Sequence, residues 1–229
     1  MIQSPAERRI WQRCFWAGVA TLILGAVVMS LFPIKGGNYP AGYGTPVIAF
    51  EFAQTANEVH AAIGYSAQNW QERLAAMKTG TYGDFVFIFS FTIFMVSFFH
   101  AAKRQTGLAL YKFLAAIALI AGLSDVTEDI FALRILSDVE VSAGAQWMHY
   151  FVKAKFIAFG LVGLGAGVFL LRQPRTLRKI EGVFAFGGGA LILFALTRPE
   201  QMGDALGLGV ILSWIAMLAY AATQSFKKV

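Results

Sequence analysis

The sequence predicts an all-α integral membrane protein: a six-transmembrane-helix bundle with both termini cytoplasmic and an outer-side helical cap between the first two crossings. Three observations predict it. Hydrophobic residues make up 57% of the 229 and charged residues only 14%, a balance too apolar for an ordinary soluble domain. The apolar residues come in long runs rather than alternating, as membrane helices require. A crossing needs about 17 to 25 predominantly apolar residues, and six stretches supply them, roughly 10–32, 83–101, 107–130, 147–171, 180–197 and 204–223. Residues 1–229 read as a single membrane domain, in which 33–82 is an extramembrane or re-entrant cap.

Orientation follows from Lys and Arg. A cytoplasmic N-terminus gathers Arg8, Arg9, Arg13, Lys103, Arg104, Lys112, Arg172, Arg175, Arg178, Lys179, Lys227 and Lys228 on that side. Only Lys35, Arg73, Lys78, Arg134, Lys153, Lys155 and Arg198 remain opposite. The net charge of +6 is mostly these flanking residues, and no basic soluble domain exists to carry nucleic acid. The first run is long for a signal peptide and lacks a small-x-small site after Ser30, so it reads as a retained helix, which suits a bacterial cytoplasmic (inner) membrane. The single Cys14 excludes an intramolecular disulfide, a dithiol redox centre and a Cys-rich zinc site.

After the first crossing, Pro33 to Pro46 is rich in Gly, Pro and Tyr and forms a non-helical connection. A helix pattern returns from Val47 to Ile63, with Glu51, Gln54, Thr55 and Glu58 as a polar stripe at i, i+3, i+4 and i+7, read as an interfacial or re-entrant helix. A polar helical stretch from Ser66 to Lys78 follows. The second crossing opens at Gly83 and Asp84, where Asp84 either N-caps the helix or joins an acid set from its outer end. Its Phe-rich run ends at His100, an interfacial residue beside Lys103 and Arg104.

The third crossing carries the main functional clue. Ser124, Asp125, Thr127, Glu128 and Asp129 interrupt an apolar helix, and Asp125, Glu128 and Asp129 share one face. An ionised acid at a membrane helix centre costs about 2.5 to 3.5 kcal/mol, against about 0.3 to 0.6 returned by each neighbouring Leu or Ile. Protonation, a cation or a position at the outer edge must resolve the conflict. The fourth crossing opens with Trp147, His149, Tyr150, Lys153 and Lys155. His149 and Lys153, one turn apart, are expected to face the acids of the preceding helix, with Lys153 as counterion to Asp125 and Asp129 and Lys155 pointing elsewhere. Glycines at 160, 163, 165 and 167, at 187–189 and at 203, 207 and 209 read as close-packing surfaces, in neither phosphate-loop nor dinucleotide spacing. The last two helices carry almost no intramembrane polar groups, and Trp214 and Tyr220 have no evident partners.

These residues define a candidate site near the outer leaflet: Asp125, Glu128, Asp129, Glu51 and Glu58 as catalytic acids, and Asp84, Trp147, His149 and Lys153 as substrate contacts. Two chemistries suit it. Asp125, Asp129 and His149 are candidate ligands of a divalent metal ion that activates water or a headgroup. Alternatively, crowded carboxyls share protons, and a neutral one protonates a substrate. No metalloprotease helix motif or Ser-nucleophile motif is present.

The expected function is a membrane-embedded enzyme or binding protein for a lipid-like or isoprenoid-like molecule; a hydrolase, isomerase or cyclase all fit. The alternatives are a proton- or cation-coupled small transporter and a structural subunit of a larger membrane complex. Membrane lipids, a hydrophobic or amphipathic small molecule and a second copy of the chain are the candidate partners.

Overall fold

The computed structural model describes residues 5–140 and 142–226; Lys227 and Lys228 of the basic set lie outside them. Its long helices are α1 (Pro5–Leu31), α4 (Trp70–Thr106), α5 (Leu110–Ser137), α6 (Ala145–Leu171), α7 (Thr176–Ala195) and α8 (Pro199–Ser225). Two short helices, α2 (Pro46–Glu51) and α3 (Ala56–Ile63), and a 3-10 turn (Ala41–Tyr43) lie between α1 and α4. Five of the long helices, α1, α4, α5, α6 and α8, are long and apolar enough to cross a membrane. The protein is an integral membrane helical bundle. Its outward surface agrees, exposing Ile23, Phe89, Phe113, Leu123, Ile130 and Phe194.

The six long helices form a closed ring in the order α1, α4, α5, α6, α7, α8. From α4 to α8 short links set the order, because consecutive helices joined by a few residues pack antiparallel as neighbours. Gly107, in the left-handed region at φ 75°, ends α4 and lets the chain reverse directly into α5. The ring closes where Arg8 Nε donates to the Ser225 carbonyl at 3.0 Å. Glycines bring α6, α7 and α8 to backbone contact: a Cβ at Gly189 would meet the Gly160 carbonyl oxygen at 2.5 Å, and one at Gly188 the Gly209 carbonyl oxygen at 2.5 Å. Gly187 and Gly207 face open space, so the α7 and α8 glycine groups pack only in part, whereas all four glycines of the α6 group pack.

The second long helix departs from expectation. It starts at Trp70 rather than Gly83, absorbing the Trp70–Lys78 part of the polar Ser66–Lys78 stretch and leaving residues 66–69 as turn and bend, and Asp84 is an interior residue rather than an N-cap. The physical reason lies on α1. Gly80 and Gly83 sit against Phe32 and against Leu31 and Val28, so tertiary packing offsets the weak helix propensity of glycine.

The single Val47–Ile63 helix is also corrected, to two helices broken at 52–55. Thr55 starts α3 as its N-cap: its hydroxyl accepts from Glu58 N at 3.3 Å, while Glu58 Oε2 accepts from Thr55 N at 3.2 Å and Gln54 N at 2.7 Å. The connection is tied to one end of the ring at three places. Its 3-10 turn packs on α8, His60 Nε2 meets the Val139 carbonyl at 3.0 Å, and Phe52 stacks on Phe156 of α6 with centroids 6.0 Å apart. Phe50, Phe52, Ala53, Val59 and Ile63 are buried there.

Candidate functional site

α2 ends on Glu51, and the break after it turns that carboxyl inward while Glu58 is engaged in the α3 cap. α5 brings Asp125, Glu128 and Asp129 to its buried face, at 4%, 2% and 5% exposure, so the acids lie inside the bundle rather than among headgroups. α6 supplies the cation. Lys155 Nζ lies 2.6 Å from Glu128 Oε2, 2.9 Å from Asp125 Oδ1 and 3.4 Å from Glu51 Oε2. One ammonium therefore joins acids from two elements, and those three oxygens have no other hydrogen-bond partner. Burial pushes the Glu51 carboxyl above its ordinary range, against the pull of Lys155.

Lys155 replaces the expected Lys153 as counterion, and helix geometry explains the two-residue shift. Met148, Val152, Lys155, Phe159 and Val162 recur at helical spacing along the buried face of α6. Lys153 falls off that stripe, is half-buried, and makes no ion pair with the described residues.

Two further acids complete the cluster. Asp129 is buried, and its Oδ2 meets no hydrogen-bond donor. Asp84 of α4 is half-buried and close enough to interact electrostatically with Asp129, Asp125, Glu51 and Lys155. The cluster thus has a part gathered around Lys155, whose single positive charge offsets one of the three carboxyl groups it touches, and a part at Asp129 and Asp84 that pairs with no cation among the described residues. A buried oxygen with no protein donor lacks the hydrogen bonds it would have in bulk water, which is an energetic reason for it to accept a proton or a donor from elsewhere.

The other expected site residues fall outside this cluster. Trp147 is 63% exposed and lies beside exposed Tyr150, on the outward face. His149 is buried, but its Nδ1 faces the Phe52 carbonyl at 3.2 Å, fastening α6 to the α2–α3 link. Among the described residues no group of three or more His, Cys, Asp and Glu side chains is arranged to hold a metal ion, and Asp125, Asp129 and His149 do not assemble as such a set.

A second polar group, unexpected from the sequence, sits at the far end of the ring. Arg178 Nη1 bonds both carboxylate oxygens of Glu181, at 2.6 and 2.7 Å, and the guanidinium lies 5.0 Å above the Tyr220 ring. The Tyr220 hydroxyl in turn pairs with Gln105 at 3.1 Å. These contacts correct the expectation that Tyr220 lacks a partner. Trp214 packs among Phe87, Phe91 and Phe159. The i, i+3 spacing of Arg178 and Glu181 was the available sequence signal.

Compared with known proteins, the chain matches no family model, no curated protein and no solved structure.

Proposed function

We propose that the protein binds the polar head of a lipid-like or isoprenoid-like molecule at Asp129 and Asp84 and performs acid-base chemistry on it. The observation that carries this reading is the unpartnered Asp129 Oδ2 beside half-buried Asp84, next to three acids already answered by Lys155. An ammonium or hydroxyl head would supply the missing donor. Exposed Phe89 on α4 and exposed Leu123 and Ile130 on α5 give an apolar tail a surface to follow. A proton- or cation-coupled transporter needs a polar route through the other half of the bundle. That half is filled by Trp11, Phe94, Phe98, Phe99 and Phe169, which favours a binding site approached from one side.

The proposed topology has six crossings, α7 included, with both termini cytoplasmic in a bacterial inner membrane and the α2–α3 connection as the outer cap. Twenty residues make α7 about 30 Å long, enough to span, and Arg178 and Glu181 offset each other's charge. Lys155, ten residues past the start of α6, then lies about 15 Å below that helix end, in the outer half of the bundle.

The binding reading is tested by thermal unfolding of the purified chain with a polyprenyl alcohol, a long-chain amine and a matched alkane as probes. The alcohol or the amine should stabilise the native chain while Asp129→Asn and Asp84→Asn abolish the shift and the alkane gives none. Equal stabilisation of the native chain and Asp129→Asn would refute it.

A further inference from the structure

We infer that the groove between the start of α1 and the end of α4 binds the phosphate of an anionic phospholipid. A cavity of about 620 Å³ opens there, lined by Arg9, Arg13, His100 and Arg104, with Ala6 and Ile10 as apolar wall. Arg9 and Arg13 are one turn apart on α1, and His100 and Arg104 are one turn apart on α4, so each helix contributes a basic pair to the same space.

No carboxylate lines the groove. Among the described residues none of the three arginines forms an ion pair. Two other arginines at this end are engaged: Arg178 holds Glu181, and Arg8 donates to the Ser225 carbonyl. Three guanidiniums facing one cavity repel one another, and a single bound anion converts that repulsion into charge-assisted hydrogen bonds. The planar fork of arginine suits the oxygens of a phosphate.

The surroundings choose a lipid over a free phosphate. Along α1 the outward surface continues into Trp16 and Ile23, and along α4 into Ile93 and Phe89, all exposed apolar side chains suited to acyl chains. A basic pocket between membrane helices at a bundle end also lies at headgroup depth, where the leaflet presents its phosphates. This site is at the opposite end from the Lys155 cluster and does not depend on it.

The test is native mass spectrometry of the delipidated full chain titrated with phosphatidylglycerol, with phosphatidylcholine, and with phosphatidylglycerol in competition with inorganic phosphate. Arg9→Gln/Arg13→Gln is compared with Arg175→Gln/Lys179→Gln, which removes equal charge from the same end outside the groove. The groove variant should bind phosphatidylglycerol at least about tenfold more weakly while the control stays within about twofold, the size expected for lost charge-assisted contacts. Arg9→Lys/Arg13→Lys should restore part of the affinity. Equal losses in the two Gln variants, or equal binding of phosphatidylcholine, would overturn the site. Full displacement of the lipid by inorganic phosphate would reassign it to a soluble anion.

Discussion

Replacing Lys155 with Met removes one buried ammonium and leaves Glu128, Asp125 and Glu51 around an uncharged side chain. The lysine side chain is 6% exposed and those of its acids 3%, 6% and 15%, so solvent does little to screen the loss. Two routes give the magnitude. Removing one partner of a buried ion pair costs about 3 to 5 kcal/mol. Alternatively, the stranded carboxylate takes a proton: from an ordinary carboxyl value near 4.3 to pH 7 is about 2.7 units, or about 3.7 kcal/mol at 1.36 per unit. The routes agree, and at about 2 to 4 °C per kcal/mol for a chain of this size the melting temperature should fall by roughly 6 to 20 °C. The assay is thermal unfolding in detergent at pH 7. Lys153→Met is the matched control and should change little. Adding Glu128→Gln to Lys155→Met should recover much of the loss, because Glu128 is the nearest acid at 2.6 Å. Equal melting of the Lys155 and Lys153 variants, or no recovery in the double variant, would refute the Lys155-centred network.

Three further outcomes are expected. Asp129→Asn should leave thermal stability unchanged or higher while abolishing probe binding, since it replaces a buried carboxyl whose Oδ2 no donor reaches; marked unfolding would show a structural role instead. Gly189→Ala should cost about 1 to 3 kcal/mol by forcing α6 and α7 apart, whereas Gly187→Ala, facing open space, should be neutral or slightly stabilising by up to about 1 kcal/mol; comparative thermal unfolding separates them. Thr55→Ala should cost about 1 kcal/mol by deleting half of the α3 capping box, read as faster hydrogen exchange confined to α3.

Run length and loop length made the bundle legible, because a helix long enough to cross a bilayer announces itself in composition alone. What failed was local punctuation. Gly83 read as the start of a crossing, yet Gly80 and Gly83 pack against Phe32, Leu31 and Val28 at the end of α1, and only the packed neighbour explains why the helix runs through them. The break between α2 and α3 was readable in principle: Thr55 followed by Glu58 is the capping-box signature, which an apolar periodicity from Val47 to Ile63 obscured. Treating Glu58 as a member of a polar stripe assigned to a site a carboxylate that holds backbone amides instead.

The acid cluster shows a similar division between what spacing reveals and what packing decides. Asp125, Glu128 and Asp129 sharing a face is a property of any α-helix, so their convergence was available before any fold. Which cation answers them depends on the rotation of α6. Reasoning from depth below Trp147 favoured Lys153, but depth separates Lys153 from Lys155 by only about 3 Å, whereas their directions differ by two residues of helical turn, about 200°. Direction therefore decides, and the apolar stripe through Met148, Val152 and Phe159 points with Lys155. Once Lys155 is committed to Glu128, Asp125 and Glu51, it cannot also satisfy Asp129, whose Oδ2 remains without a donor. In the binding reading proposed above, the lysine that holds the cluster together also sets its binding edge, because the acid it does not pair with is the one left to take a donor from a ligand.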